Sequence, residues 1–312
     1  MIRILAKLFA VTVLLITLSY VAPLSAAPVV YLSSTGSDAN PCTATQPCAD
    51  INRAMQVVDS GGQISCINSP STLGNFLDSL AGLSVTIDCP GLYLVNSSNF
   101  TGMGFNASNQ VIKIRNLTMN ETPGTGNHAI QVTGSGTLII ENCVFENFNS
   151  NTPIDIEPIG PLNLVITNSR ISNSSSGVFI KPAAGGSVTA TFNGLTIDGN
   201  SGGGIKTDTT NGLVSVDISN STISNNAGNG MNAVGGAGGT NMLNIKNSVI
   251  VRNGSAGVQA NGANAAALID TTLLDSNMTA TSAINGGRVL TYGNNRIVGA
   301  DGSGFTGTAS LR

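Results

Sequence analysis

Several residue types that often mark a binding surface are scarce in this sequence. It has no tryptophan, one histidine, and only 9% charged and 4% aromatic residues. Its few cations form no basic cluster, which argues against nucleic acid as a partner because phosphate binding needs such clusters. After the first thirty residues no segment is apolar enough to predict a membrane span.

The N-terminus has the pattern of a secretory signal peptide. Arg3 and Lys7 form a short basic region, an apolar run over residues 4–18 follows, and residues 25–27 (Ser-Ala-Ala) supply a cleavage site. A membrane anchor is the competing interpretation, but the apolar run is short for a span. We therefore expect a mature chain that is secreted, periplasmic or on the cell surface. Cleavage removes two cations and no acid, so the net charge changes from −3 to −5.

A repeat organises most of the remaining chain. In each copy apolar residues alternate, a marked position follows, and another apolar residue comes three positions later, as in IKIRNLTM at 112–119 and LVITNSRI at 164–171. Successive marked positions are 26, 26, 26, 26, 27, 24 and 23 residues apart. Spacing this regular identifies a repeat architecture. The marked positions are Asn116, Asn142, Asn168, Gly194, Asn220, Asn247, Thr271 and Asn294.

Each repeat predicts three short strands. Alternation before the marked position predicts a strand with one buried face, and a shorter strand begins three residues after it. The third strand of each repeat begins directly after a residue with a small side chain. Its predicted inward positions are Ile130, Ile154, Val178, Ile205, Met231, Val258 and Ile284.

Three strands per period of about 25 residues predict an all-β fold, a right-handed parallel β-helix of about ten coils with three parallel sheets. A propeller blade needs a longer period with antiparallel hairpins, and a leucine-rich repeat has its own leucine spacing. The Ca²⁺-binding nonapeptide GGxGxD is absent from the sequence. These three alternatives are therefore disfavoured.

The five cysteines predict two disulfides and one free thiol. Cys42 and Cys48 are close in sequence and would close an N-terminal loop. Cys66 and Cys89 fall on the marked position of two earlier coils, and equivalent positions on adjacent coils lie about 4.8 Å apart. A Cys66–Cys89 bridge between these coils is therefore expected. Cys143 has no partner in this register and is predicted to be a packed free thiol.

The Asn column is interpreted as scaffold. It falls where the chain turns between two strands, and we expect its amides to face inward. Stacked amides would then link one coil to the next and satisfy backbone groups of the turn.

Both ends of a parallel stack need covers. Residues 47–60 have helical apolar spacing at Ile51, Ala54, Met55 and Val58 and predict an amphipathic cap helix that Gly61-Gly62 ends. The C-terminal stretch contains Phe305 and is either a loose cap or a frayed tail. The predicted organisation is a signal peptide (1–27), an N-terminal strand, disulfide loop and cap helix (28–62), the β-helix (63–298) and the C-terminal segment (299–312).

Two segments carry a resemblance to known proteins. The stretch VVYLSSTGSDANPCTATQPCADINRAM at 29–55 resembles the N-terminal segment of bacterial secreted β-helix proteins. Repeats such as GVFIKPAAGGSVTATFNGLTIDGN at 177–200 resemble those of the pectin-lyase-like superfamily. The resemblance covers roughly residues 29–298 and implies the fold. For function it implies a range that includes polysaccharide lyases, glycoside hydrolases, esterases, epimerases and adhesins, and fold alone does not choose among these.

The catalytic signatures of that superfamily are not found. One strand of each repeat begins after a small residue. The residues directly before that strand include neither a pair of carboxylates nor a Gly-His-Gly motif. The Gln-Asp pair and the Asp-Phe-Ile-Phe-Gly segment of the esterases are absent, and no tight acidic cluster suggests a Ca²⁺ site. We expect no cofactor, and Ca²⁺ only for a lyase.

One group of charged residues remains as a candidate site. His128, Asp155 and Lys206 are the candidate catalytic residues, because acid, base and cation could share one groove on the outward face of that strand. The candidate ligand-binding residues on the same face are Glu157, Phe179, Lys181 and Asp208. The competing interpretation is a solvent-exposed ladder of salt bridges between Glu157, Lys181 and Asp208.

The function expected from these observations is a secreted, non-catalytic module with a polysaccharide or cell-surface glycan as ligand. The first alternative is a lyase or hydrolase of an acidic polysaccharide. The second is a structural or adhesive surface protein. The sequence does not indicate the oligomeric state.

Overall fold

The computed structural model describes residues 27–68, 83–95, 102–121, 128–299 and 304–309. Apart from Ala27, the predicted signal peptide lies outside these residues and stays a prediction. No helix in the described part of the chain is both long enough and apolar enough to cross a bilayer.

The described chain folds almost entirely into short strands. One helix, α1 (Ile51–Val57), lies near the N-terminus. In chain order the strands are β1 (Ala27–Leu32), β2 (Val58–Cys66), β3 (Val85–Val95), β4 (Met103–Phe105), β5 (Gln110–Glu121), β6 (Ile130–Val132), β7 (Gly136–Glu141), β8 (Val144–Glu146), β9 (Ile154–Ile156), β10 (Pro161–Thr167), β11 (Arg170–Ser172), β12 (Val178–Ile180), β13 (Ser187–Asn193), β14 (Thr196–Asp198), β15 (Ile205–Asp208), β16 (Leu213–Ser219), β17 (Thr222–Ser224), β18 (Met231–Val234), β19 (Asn241–Lys246), β20 (Val249–Val251), β21 (Ala256–Asn261), β22 (Ala265–Asp270), β23 (Leu273–Asp275), β24 (Thr279–Ile284), β25 (Arg288–Thr291), β26 (Arg296–Val298) and β27 (Gly307–Thr308).

The strands form three parallel ladders around one core. The first ladder runs through β2, β3, β5, β7, β10, β13, β16, β19, β22 and β25. The second begins in the C-terminal halves of β3 and β5 and continues through β8, β11, β14, β17, β20, β23 and β26. The third ladder contains β4, β6, β9, β12, β15, β18, β21 and β24. The predicted parallel β-helix is confirmed.

The number of coils is smaller than predicted. Within the described residues eight coils, from β3–β4 to β22–β24, carry a strand in all three ladders, rather than about ten. The first ladder has extra strands because β2 precedes these coils and β25 follows them. Both outer coils lack a strand of the third ladder in the described residues.

The predicted inward columns of the first two ladders are buried, with Ile114, Ile166, Ile218 and Ile223 all 1% exposed or less. The third ladder matches its predicted column as far as Val258. Ile284 was assigned wrongly, because Thr281 pairs with Val258 and is buried while Ile284 is 41% exposed. The last coils are shorter than 26 residues, so the buried position comes earlier than the repeat spacing predicts. The apolar Ile284 also fits the sequence pattern better than the polar Thr281 does.

The helix is shorter than predicted. Asp50 caps its N-terminus, because its carboxylate accepts a hydrogen bond from the backbone N–H of Asn52. The helix ends at Val57, and Val58 is already extended, so Gly61-Gly62 lies inside β2 instead of ending the helix. The buried face of α1 packs against β1 and β2 at the N-terminal end of the stack.

At the other end β27 pairs with β25, and Phe305 packs against the core. Residues 300–303 and 310–312 lie outside the described residues.

Both predicted disulfides are confirmed, and the Cα atoms of Cys66 and Cys89 are 4.7 Å apart. Cys143 is free and buried. Burial raises the pKa of its thiol to about 11, so it stays protonated and is a poor nucleophile.

The marked Asn column faces outward, contrary to the prediction. Asn116, Asn142, Asn168 and Asn220 have φ between 49° and 62° and are exposed. Asn is favoured there because it tolerates the left-handed conformation that the turn requires. The column therefore keeps the predicted structural role. It stabilises the turn through its backbone conformation instead of through inward-facing amides.

A different Asn column faces inward. Asn200, Asn226, Asn253 and Asn277 are at most 4% exposed. The amides of Asn200, Asn226 and Asn253 each donate to the side-chain oxygen of the next Asn in the column at 2.8–2.9 Å. Asn226 also donates to the carbonyl of Ile197. This chain of bonds satisfies polar groups that would otherwise be buried without partners.

Candidate functional site

The outward face of the third ladder carries most of the candidate residues. The strands alternate, so Ile154 and Ile156 face the core while the residue between them faces out. Strand register aligns the outward residues of consecutive coils in one column. From the N-terminal end, the column is Gln131, Asp155, Phe179, Lys206, Asn232 and Gln259.

His128 and Asp155 are brought together, as the sequence suggested. The Nε2 atom of His128 lies 3.6 Å from Oδ2 of Asp155, and Gln131 donates to the same oxygen at 3.2 Å. The Nδ1 atom of His128 lies 2.6 Å from the carbonyl oxygen of Thr152 and must donate to it. A neutral ring would then present a bare Nε2 to the carboxylate, so attraction requires a proton on one of the two groups.

Asp155 is buried, although the sequence placed it in an exposed groove. It is only 6% exposed, because His128 and Gln131 cover its carboxylate. A buried carboxylate with two side-chain contacts is well positioned but poorly accessible to a large ligand.

Glu157 lies two residues after Asp155. Burial raises the pKa of the Glu157 carboxyl, and the nearby negative charge of Asp155 raises it further, while Lys181 and His128 act in the opposite direction. Two carboxyl groups that are two residues apart in the sequence therefore have different environments.

The alternative salt-bridge ladder does not form as ion pairs. In the described residues Lys181 lies within 4.0 Å of neither the Glu157 nor the Asp208 carboxylate. Asp208 instead accepts hydrogen bonds from the backbone N–H and the hydroxyl of Thr210. Lys181 therefore influences the Glu157 carboxyl electrostatically without forming an ion pair with it.

A groove opens beside Phe179 and Lys206, with a cavity volume of about 420 Å³. We call it the third-ladder groove. It is lined by Thr152, Ser176, Val178, Phe179, Gly202, Gly203, Ile205, Lys206, Gly228, Asn229 and Asn232.

One wall of this groove is formed by glycines, because neighbouring coils approach each other closely there. A Cβ on Gly202 would lie 2.5 Å from the carbonyl oxygen of Ser175 on the preceding coil. Side chains are therefore excluded at this position, and the backbone of the turn is left open next to the column of larger residues.

The larger residues on the other side supply an apolar ring, a cation and an amide. The Nζ of Lys206 lies 5.1 Å from the centroid of the Phe179 ring, a cation–π contact. The Oδ1 of Asn232 is buried and accepts no hydrogen bond from the described residues.

The candidate catalytic residues do not form one cluster. Phe179 lies between Asp155 and Lys206 in the column, so two coils, or about 10 Å, separate them. In the part of the chain that the structure describes, no three His, Cys, Asp or Glu side chains converge as metal ligands.

Sequence reasoning missed Thr152, Gly202, Asn229 and Asn232. A useful signal was present: residues 202–204 are three consecutive glycines, directly before the strand that carries Lys206. Small residues beside an outward aromatic residue predict a depression, but only strand register shows that Asn232 adjoins it.

Comparison with protein families finds one match. The model described as "Right handed beta helix region" matches residues 91–274, more than half of the chain. The chain belongs to the right-handed β-helix family. Comparison with curated protein sequences finds no relative at a significant level.

Solved structures with this fold also match. The structure of pectate lyase Pel9A aligns with a TM-score of 0.54 and 15% identity, over 92% of this β-helix protein and 79% of the lyase. A rhamnogalacturonan lyase aligns with a TM-score of 0.46, 15% identity and coverages of 84% and 75%. The GH136 lacto-N-biosidase from Eubacterium ramulus aligns with a TM-score of 0.39, 10% identity and coverages of 91% and 67%. Pel9A supports the β-helix fold alone, and the two lower scores carry no argument.

Proposed function

We propose that this β-helix protein is exported and binds an acidic carbohydrate in the third-ladder groove, as an extracellular or cell-surface module. The observation that carries the proposal is the contact between Lys206 and the half-buried Phe179 ring at the edge of an open groove. Pel9A, the structural neighbour with a TM-score above 0.5, is named as a pectate lyase, which agrees with this ligand class.

The chemistry of the groove suits a sugar ring with a carboxylate. An aromatic ring offers a flat surface on which the C–H face of a pyranose can stack. Among the residues that line the groove Lys206 is charged and none is acidic. A uronate carboxylate could therefore pair with Lys206 at the edge of the groove.

The length of the groove also suits an oligosaccharide. Phe179, Lys206 and Asn232 lie on three consecutive coils, which places the ends of this row about 10 Å apart. A groove of this length and volume is large enough for a short segment of an oligosaccharide.

Calorimetric titration of the mature protein with hexagalacturonate tests the proposal, with cellohexaose as the neutral counterpart whose binding, if any, should not depend on Lys206. We expect binding of the acidic sugar that Lys206→Gln weakens about tenfold, since a charge-assisted contact is lost. Phe179→Ala should weaken it by a similar factor. Lys181→Gln removes the same charge outside the groove lining and is the matched control.

The proposal is wrong if hexagalacturonate does not bind, or if Lys206→Gln and Lys181→Gln have the same effect. Melting temperatures of the two lysine variants should stay near that of the wild type, because both lysine side chains lie on the outer surface.

Hydrolysis of the bound sugar is the second candidate function, and Asp155 and Glu157 favour it. Glycosidases use two carboxyl groups whose environments separate their pKa values. The pKa of the Glu157 carboxyl is raised by burial and by Asp155, as an acid requires, and Asp155 is in contact with His128. The burial of Asp155 argues against direct attack on a polymer.

A release assay separates binding from catalysis. The mature protein would be incubated with plant and bacterial polysaccharides, with and without Ca²⁺, while new reducing ends and unsaturated products are measured. The binding proposal predicts no product. Product that Asp155→Asn and Glu157→Gln both abolish would establish the enzyme instead, and product only with Ca²⁺ would indicate a lyase.

A purely structural or adhesive role would give a third result. The protein would then self-associate, or remain on the cell surface, without binding either sugar. Sedimentation of the mature protein at increasing concentration measures the first property directly.

A further inference from the structure

A second groove lies on the outer face of the first ladder, near the C-terminal end of the stack. Its cavity volume is about 340 Å³. We call it the first-ladder groove. Its polar, aromatic and aliphatic side chains come from β16, β19 and β22 and from the residue after β25, and they are Asp217, Asn244, Lys246, Leu268, Asp270 and Tyr292.

Strand register arranges these side chains in two parallel columns. Asp217 pairs with Asn244 and Asn244 with Leu268, which gives one column. Lys246 pairs with Asp270, and Tyr292 comes one residue after the Ile269–Thr291 pair, which places it beside Asp270. The columns are two residues apart along each strand, or about 7 Å, and successive coils are about 4.8 Å apart.

The space between the columns is open because the residues between them point inward. Ile218 and Ile245 are at most 1% exposed and give the groove only their backbones. The result is a channel along the β-helix axis with side chains on both sides.

The same two columns are closed at the N-terminal end of this face. Lys113 and Arg115, which lie on the two columns, form ion pairs with Glu141 at 2.8 Å and Asp88 at 2.9 Å. In the C-terminal coils, by contrast, Lys246 forms no ion pair within 4.0 Å with Asp217 or Asp270 in the described residues. At the N-terminal end of this face the charged side chains are therefore engaged in ion pairs with one another. At the C-terminal end the charges of Asp217, Lys246 and Asp270 remain available to a ligand.

The acidic side chains of the groove are held in place but keep acceptor capacity. Asn244 donates to Oδ1 of Asp217 at 2.8 Å, while Thr271 and Asn294 both donate to Oδ1 of Asp270. Neither Oδ2 atom accepts a hydrogen bond from the described residues. Hydrogen bonds from Thr271 and Asn294 lower the pKa of the Asp270 carboxyl, so it stays ionised and cannot donate at neutral pH.

Tyr292 and Leu268 supply the apolar part. Both are half-buried and belong to adjacent columns of the groove. With two carboxylates and one ammonium group the groove carries a net charge of about −1, unlike the third-ladder groove, whose lining contains Lys206 and no acid. An anionic ligand is therefore disfavoured here.

We propose that the first-ladder groove is a second carbohydrate site that binds a neutral oligosaccharide. The apolar face of one sugar ring stacks on Tyr292 beside Leu268. Hydroxyl groups of the sugar donate to the carboxylates of Asp217 and Asp270, and another accepts from Lys246. The proposal does not depend on the function of the third-ladder groove, which lies on a different ladder.

Calorimetry with cellohexaose, xylohexaose and mannohexaose tests this site. We expect at least one to bind, Tyr292→Ala to weaken binding tenfold or more, and Tyr292→Phe to retain most of it because stacking needs only the ring. Asp217→Asn should weaken binding several-fold. Lys113→Gln, at the closed end of the same face, is the matched control and should change nothing.

The proposal is overturned if none of the three sugars binds, or if Tyr292→Ala and Asp217→Asn bind like the wild type. If Tyr292→Ala does not fold, hydroxyl-radical oxidation of Tyr292 in the wild type gives the answer. A bound neutral sugar should reduce that oxidation, and an unchanged rate at saturation overturns the site. Lys206→Gln should leave the neutral sugar bound, which distinguishes the two grooves.

Discussion

The inside and the outside of the coils follow different rules. Inside, equivalent positions keep the same type of residue from coil to coil, as in the column that contains Ile166, Phe192 and Ile218. Outside, the column of the third ladder changes chemistry at each step from Asp155 to Phe179 to Lys206. The interior therefore specifies the fold, and the exterior gives each face its local chemistry.

The two grooves extend the comparison. Both lie over the backbones of stacked strands, but one is lined by a cation and amides and the other by two carboxylates, a lysine and a tyrosine. The same scaffold thus offers different binding surfaces without any change in its core. Substitutions should accordingly separate into those that unfold the protein and those that change only binding.

The largest effect is expected from a charge in the core. Ile218→Asp puts a carboxylate at a site that is 1% exposed, and we expect a loss of about 4 kcal/mol or more in the free energy of unfolding. Thr189→Asp adds the same charge at an exposed position of β13 and should have little effect. Melting curves of the two variants give the comparison, and similar curves would show that the assigned register is wrong.

The buried Asn column should come next. Asn226→Ala leaves Asn200 and Asn253 without their shared partner, and we expect a cost of about 2–4 kcal/mol. Asn225→Gly, one residue earlier, removes an exposed side chain but keeps the left-handed conformation that the turn needs. That variant should lose less than about 1 kcal/mol in urea unfolding. Equal losses would mean that the buried column is not a stabilising network.

The disulfide between the first coils should contribute a comparable amount. Replacing Cys66 and Cys89 by Ala opens a loop with a sequence separation of 23, and the chain-entropy estimate is about 3 kcal/mol. The same replacement at Cys42 and Cys48, separated by 6, should cost about 2 kcal/mol. Urea unfolding measures both, and a larger loss at Cys42–Cys48 would contradict the entropy argument.

The smallest effect is expected from an outer carboxylate. Burial raises the pKa of Asp198, but hydrogen bonds from Ser224 and Asn225, together with the charges of Arg170 and Arg252, outweigh it and lower the pKa overall. Asp198 therefore contributes stability above its unfolded pKa of about 3.9, and this is lost as the pH falls through the lower folded value. Asp198→Asn should be slightly less stable than the wild type at neutral pH and should converge with it in acid. A constant difference across that range would exclude Asp198 as the cause.

Much of the fold was predictable because one physical pattern repeats many times. A buried strand face must be apolar, so Ile114, Ile166 and Ile223 carry a signal that each coil reinforces. Polar positions were harder. Asn168 is an asparagine because its backbone adopts the left-handed conformation of the turn. Asn226 is an asparagine because its side chain forms hydrogen bonds inside the core. The sequence alone does not distinguish these two roles.

The site was only partly predictable for a related reason. The contact between His128 and Asp155 follows from strand register, which the repeat supplied. The burial of Asp155 and the unsatisfied Oδ1 of Asn232 depend on how neighbouring coils cover each other. The first-ladder groove depends on Tyr292, which lies within the last period, where the spacing falls to 23 residues.

The central claim is that an acidic carbohydrate binds over Phe179, and hydroxyl-radical footprinting tests it most directly. The mature protein would be oxidised with and without saturating hexagalacturonate, and modification of Phe179 and Tyr292 would be measured by mass spectrometry. We predict that the sugar reduces oxidation of Phe179 and leaves that of Tyr292 unchanged. Unchanged oxidation of Phe179 at a concentration where the sugar is bound would contradict the account.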